Sequence, residues 1–238
     1  MRVLFIGNSF TWYNGGQARI GMHLAESAFE KQLSPDERKQ FKPAVYEQIS
    51  GDGWELEQHI EYGKVQKRLA EGHWDYVVLQ DHSQETLLYP ERFRSSVITL
   101  DAMIKKSGAK TVLFMTWAKS NEMQNQGTIT QMYQSVGDEI GAIVVPVGKA
   151  FEKTVQTTSI GVHDSLDNRH PTAEGSYLTA CCFYSLFYAR SPIGLGALTI
   201  IDGKKSVELD SATAETLQRI AWETTRPLLN DQVEKSAR

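Results

Sequence analysis

Five short apolar, β-branched runs recur along this chain with segments of helical period between them, and that alternation leaves few folds open. The runs are Val3 to Ile6, Ala44 to Ile49, Tyr76 to Gln80, Thr111 to Thr116 and Ala142 to Val147. Several are apolar almost throughout, as strands are when helices cover both faces of a sheet. Between them Ile20, Leu24 and Ala28 repeat at four-residue spacing. Phe93, Val97, Leu100 and Ile104 form a second stripe, and Ile129, Met132, Tyr133, Val136 and Ile140 a third. Gly108 and Gly141 stand where helix C-caps belong, just before the fourth and fifth strands. Five β-α units with right-handed crossovers predict a flavodoxin-like three-layer α/β/α sandwich on a five-stranded parallel sheet.

The later part reads as a long helix from about Thr172 to Ala189, a connection through Ser191-Pro192-Ile193-Gly194, and a last helix carrying Leu217, Ile220 and Ala221. A polar tail from Asp231 is expected to fray. No internal repeat or low-complexity linker interrupts the 238 residues, so a single domain over 1–238 is the expectation.

Composition narrows the function classes. The net charge of −4 comes with no basic stripe to draw in nucleic acid or an anionic membrane, and Lys64, Lys67 and Arg68 read as a solvated helix face. The two cysteines, Cys181 and Cys182, are adjacent in an apolar helical stretch; neighbours almost never bridge, so they read as small buried hydrophobes. No stretch approaches the ~20 apolar residues that span a bilayer. The chain starts a strand at once, without the basic and apolar regions of a signal peptide, so the expectation is a cytoplasmic protein. A periplasmic or secreted protein whose signal had been removed would read the same way.

In an open α/β sheet, ligands bind beyond the carboxyl ends of the strands. That rule gathers three polar segments at one edge: Gly7-Asn8-Ser9-Phe10-Thr11 after the first strand, Ser50-Gly51-Asp52-Gly53 after the second, and Gln80 to Ser83 after the third. A fourth, Asp167-Asn168-Arg169-His170-Pro171, follows the fifth unit and precedes a helix, within reach of the same edge. A serine hydroxyl becomes a nucleophile when a histidine takes its proton, and that histidine works best when a carboxylate fixes its tautomer. These segments offer all three groups, in the order Ser, Asp, His. Two intervening residues in a turn allow the Asp167 carboxylate and the His170 ring to approach, and Pro171 pre-sets the start of the following helix.

Phe5 to Thr11 resembles the first block of the SGNH, or GDSL-like, hydrolases, and Asp167 to Pro171 is similar to that superfamily's last block, Asp-x-x-His-Pro. The resemblance is closer to an uncharacterised bacterial branch with a Gly-Asn-Ser-Phe-Thr start, a block like Leu79-Gln80-Asp81-His82-Ser83, and a run like His170 to Ala180. It extends from Arg2 to about Arg190. It implies Ser9 as nucleophile, His170 as general base and then acid, and Asp167 as its orienting partner. It also implies an oxyanion hole from the N–H of Ser9 and that of a block-two glycine, for which Gly53 and Gly51 compete. Asn8 replaces the superfamily's usual Asp. The Gly-x-Asn-Asp block is missing after strand three, leaving Gln80 as the natural substitute for its amide donor, with His82 or Ser83 as alternatives.

The expected activity is hydrolysis of a small acyl ester, favoured by the resemblance as an O-acetyl group on a carbohydrate, with no cofactor and no metal. Trp117, after strand four, is the best specificity candidate among Trp54, Trp74 and Trp117, with Ser83 and His82 as further substrate contacts. Two rival readings are a glycan-binding domain that has lost turnover, and a metal-dependent hydrolase built on His163, Asp164, Asp167 and His170. No phosphate-binding loop or dinucleotide motif is present; Gly15-Gly16 lacks the spacing and lysine of a P-loop.

Overall fold

In the computed structural model, which describes residues 1–16, 21, 24, 34–40, 44–201 and 204–236, the five apolar runs pair as one parallel sheet. Its strands are β1 (Arg2–Gly7), β2 (Val45–Ser50), β3 (Tyr76–Leu79), β4 (Lys110–Phe114) and β5 (Ile143–Val145), in the order β2-β1-β3-β4-β5. The order reverses at β1, and that switch point is where ligands bind in doubly wound sheets. The registers Gly7 with Ser50 and Ile6 with Leu79 bring the ends of the first three strands level.

The period-2 alternation of the strands sets both faces of the sheet. Leu4, Ile6, Val77, Leu79 and Leu113 point into one core, against Leu56, Val65, Leu69, Phe93, Val97, Leu100, Ile104, Ile129, Tyr133 and Val136 of the helices Leu56–Tyr62, Lys64–Glu71, Pro90–Lys106 and Gln126–Ile140. Val3, Phe5, Val78, Val112 and Phe114 face the other way and are just as fully buried. The second and third helical stripes read from sequence are thus core faces. The stripe of Ile20, Leu24 and Ala28 falls largely outside the described residues, although Leu24 is buried. Gly108 and Gly141 take positive φ, 86° and 68°, at the helix ends where C-caps were expected.

Contacts sort the chain into two compact units, each made of two separate stretches: Met1–Trp12 with Ala44–Gly148, and Tyr13–Pro43 with Lys149–Arg238. In the second, the helix Ala173–Tyr188 is buried all round from Gly175 to Leu186, Cys181 and Cys182 included, with both thiols free. It packs against the helix Ser211–Ser236, whose Leu217, Ile220 and Ala221 are fully buried. That last helix extends to Ser236, into the polar tail that begins at Asp231. An antiparallel hairpin, β6 (Leu198–Ile201) with β7 (Lys204–Glu208), was not expected. Among the described residues, no helix is long and apolar enough to cross a membrane.

Candidate active site

The first unit holds the nucleophile segment. The chain leaves β1 at Gly7 and turns at once into the short helix Ser9–Trp12, where Ser9 is partly exposed. Asn8, 2% exposed, knits this turn: its Oδ1 accepts the Phe10 N–H at 3.1 Å, and its Nδ2 donates to the Trp54 carbonyl at 2.9 Å. Gln80, 1% exposed, meets it from the end of β3. Gln80 Oε1 accepts the Asn8 N–H at 3.0 Å and the Thr11 hydroxyl at 2.8 Å, while its Nε2 donates to Asn8 Oδ1 at 2.9 Å and to the Asp81 carbonyl. Both hydrogens of the amide are therefore engaged, and none is left for an oxyanion in this arrangement. A glycine is needed at position 7, because a Cβ there would stand 2.4 Å from Thr11 Oγ1 and 2.5 Å from Gln80 Oε1.

The glycine block lies beside it. The Gly51 N–H donates to the Gly7 carbonyl at 3.2 Å, so this amide already has an acceptor. Gly53 sits at φ 70°, a left-handed conformation that favours glycine, and its N–H has no protein acceptor among the described residues. Of the two glycines that competed for the oxyanion role, Gly53 is the one with a donor to offer.

The third block turns inward. Asp81, 1% exposed, accepts the N–H of Leu56 at 2.9 Å and of His82 at 2.7 Å through Oδ1. Burial pushes its carboxyl up to about 7, with Glu85 and Glu55 adding to the rise and the two N–H donors opposing it. His59 is buried beneath Gly7, whose carbonyl accepts from its Nε2 at 2.9 Å; desolvation lowers its pKa, so it is a neutral imidazole. Ser83 is 5% exposed. The half-buried His82 uses Nδ1 to accept the Gln84 N–H at 3.4 Å.

Trp117 has no face to offer a ligand: it is 1% exposed, and its ring lies flat on Phe10, 4.4 Å between centroids. Trp74 is likewise buried, with the guanidinium groups of Arg2 and Arg68 each about 5 Å from its ring centroid. Trp54 remains half-buried, edge-on to Tyr62, which is 58% exposed.

The second unit holds the acid–base segment. The loop between His163 and Thr172 closes through an antiparallel bridge from His163 to Pro171 and through the Asp164 N–H donating to the His170 carbonyl at 2.7 Å. Within it, Asp167 Oδ1 accepts the N–H groups of Arg169 and His170, each at 2.9 Å, while Oδ2 pairs with His170 Nδ1. A carboxylate on Nδ1 makes that nitrogen the donor and leaves Nε2 with the lone pair that a general base needs. Burial tends to raise the Asp167 pKa, but the bonds from the His170 ring and from the two backbone N–H groups outweigh it and bring it down to about 2.

Two neighbours that sequence reading missed hold this loop. The Tyr13 ring stacks on His170, 4.7 Å between centroids and 20° from parallel. Asn14, in the left-handed conformation at φ 54°, donates to the carbonyls of Pro171 and Thr172 and to Ser176 Oγ at 2.7–3.2 Å. The dipeptide Asn14-Gly15 is a sequence signal for such a turn. His163, the first member of the alternative metal cluster, packs its ring edge-on to Phe151. Among the described residues, no three His, Cys, Asp or Glu side chains are grouped so as to hold a metal ion.

The sequence matches no family model and no curated protein. The fold matches solved structures. A DUF4886 family protein from Bacteroides uniformis superposes with a TM-score of 0.70 at 18% identity, over 94% of this chain and 93% of that one. A protein from Slackia heliotrinireducens, provisionally assigned as an SGNH hydrolase, gives 0.63 at 22% identity, over 79% and 98%. An acetylxylan esterase from Geobacillus stearothermophilus gives 0.57 at 13% identity, over 76% and 91%; its structures described as catalytic mutants replace a serine and a histidine with alanine. The fold is thus the α/β fold of the SGNH hydrolases, as the sequence resemblance implied.

Proposed function

We propose that the chain is a serine esterase that removes a small acyl group, an O-acetyl on a carbohydrate in particular. Ser9 attacks the ester carbonyl as His170 Nε2 takes its proton, and Asp167 holds the imidazole and stabilises its charged form. The backbone N–H groups of Ser9 and Gly53 stabilise the oxyanion. His170 returns the proton to the departing alkoxide oxygen, leaving Ser9 acylated. Water then repeats the sequence: His170 deprotonates it, the acid departs and Ser9 is regenerated.

The observation that carries this reading is the Asp167–His170 pair, in which one carboxylate oxygen fixes the backbone of the turn and the other the ring. Tyr13, which stacks on that ring, lies four positions beyond Ser9 in the chain. The fold's likeness to an acetylxylan esterase favours the acetyl-carbohydrate class. For the substrate's sugar, Trp54 and Tyr62 replace the buried Trp117 as the aromatic surface.

Hydrolysis of a chromogenic acetate ester by wild type and Ser9→Ala tests the reading. The expected result is turnover by wild type, highest with the shortest acyl chains, and a loss of ~10³-fold or more in the variant. Full activity in Ser9→Ala would overturn it. A wild type inert across short acyl chains that still bound acetylated glycans would favour the binding-domain reading, and loss of activity on chelation the metal-dependent one.

A further inference from the structure

We infer that Gln80 is a positioning residue, the brace that fixes the nucleophile turn, rather than a donor to the oxyanion; the inference deepens the esterase reading and rests on it for its kinetic part. The bonds leave no ambiguity in the orientation of the amide. Gln80 Oε1 faces a backbone N–H, which can only donate, and Nε2 faces the Asp81 carbonyl, which can only accept. Asn8 is fixed by the same logic, since Oδ1 faces the Phe10 N–H and Nδ2 the Trp54 carbonyl. The two amides therefore form a reciprocal pair. Gln80 grips Asn8 at its backbone and its side chain, and Asn8 in turn holds Phe10 on one side of Ser9 and the block-two loop at Trp54.

This pair does two things for a reacting serine. It sets where Ser9 projects relative to the sheet, because the residues on either side of Ser9, Asn8 and Phe10, donate their N–H groups into the network. It also ties the nucleophile turn to the loop that carries Gly53, through the Asn8 bond to Trp54. Apart from the bond to the half-buried Trp54, this network is buried, where rearrangement would leave polar groups without partners. An oxyanion contact from Gln80 would require breaking the bond to Asn8 Oδ1 or the one to Asp81. The oxyanion hole of this chain is therefore a pair of backbone N–H groups, with the side-chain amide acting one step behind it.

The test is a double-mutant cycle of Gln80→Ala and Asn8→Ala on a small acetate ester, read with amide hydrogen exchange. If the two residues form one brace, each single variant lowers kcat at least tenfold with KM within about twofold, and the double variant falls no further than the worse single. Asn8→Asp, which still accepts from Phe10 and Gln80 but cannot donate to the Trp54 carbonyl, recovers only part of what Asn8→Ala loses. If Gln80 were an oxyanion donor, Gln80→Ala would cost ~10²–10³ by itself and the two losses would multiply; that outcome overturns the brace. Exchange gives a reading independent of turnover. The Asn8 and Phe10 amides should exchange faster in Gln80→Ala, and the Phe10 amide in Asn8→Ala, with the amides of β1 unchanged. Unchanged exchange at Asn8 and Phe10 overturns the inference even in an active enzyme. The expected exchange in a protein without esterase activity would keep the brace and remove the esterase reading. Should Gln80→Ala not fold, Asn8→Ala and Asn8→Asp test the same bonds from the other side.

Discussion

Two aspartates show how environment sets the work of one side-chain type. Asp167 is held well below the ordinary carboxylate range, at about 2, because the hydrogen bonds it accepts outweigh its burial. Its carboxylate therefore stays ionised down to about that pH, so a loss of activity at mildly acidic pH does not come from Asp167. Replacing Asp167 with Asn should cost on the order of 10²–10⁴ in kcat, because the amide no longer enforces the Nε2 lone pair; unchanged turnover would remove Asp167 from the mechanism. Asp81 is the opposite case. Burial raises its carboxyl to about 7, so between its unfolded value near 4 and that pH the folded protein binds more protons than the unfolded chain. Stability therefore falls as pH rises through that window. Asp81→Asn, which keeps an acceptor for the Leu56 and His82 N–H groups, should lack this decline. Thermal melts from pH 4 to 8 should show the variant's Tm gaining on wild type as pH increases; parallel curves would contradict the assignment. Neither shift is legible in the sequence, where Asp81 is one acid among 29 acidic residues and nothing marks it as buried.

At the scale of elements, the parts that follow from periodicity read well and the parts that follow from tertiary context do not. The strands after which the polar blocks sit fall within a residue or two of their expected bounds, whereas β5 shrinks to three residues, Ile143–Val145. The antiparallel pair Leu198–Ile201 with Lys204–Glu208 escaped because it is short and polar on one arm. The loop carrying His170 was visible as a motif, but its support from Asn14 crosses more than 150 residues of sequence and was not. That support makes a prediction. Asn14→Gly keeps the left-handed backbone and loses only the amide, so it should destabilise by about 1–3 kcal/mol through the carbonyls of Pro171 and Thr172. Asn14→Ala should cost more, because it adds backbone strain. Equal melting of both variants and wild type would show that the amide carries none of the loop's order.

For the molecule as a whole, the parallel strands in the order β2-β1-β3-β4-β5 were readable because β1, β3 and β4 are apolar on both faces and helical stripes recur between strands. Less readable was the inward turn of polar residues. Gln80 and Trp117 stand at strand ends, where the sequence suggests contact with a ligand, yet one is locked against Asn8 and the other stacked on Phe10. The proposed triad joins Ser9 to Asp167 and His170, segments separated by most of the chain, and their joint action is the central claim. Covalent labelling by a small fluorophosphonate, read by peptide mass spectrometry, tests it most directly. The account predicts a single adduct on the peptide containing Ser9, formed far more slowly in His170→Ala; an adduct on another residue, or equal labelling in His170→Ala, would contradict it.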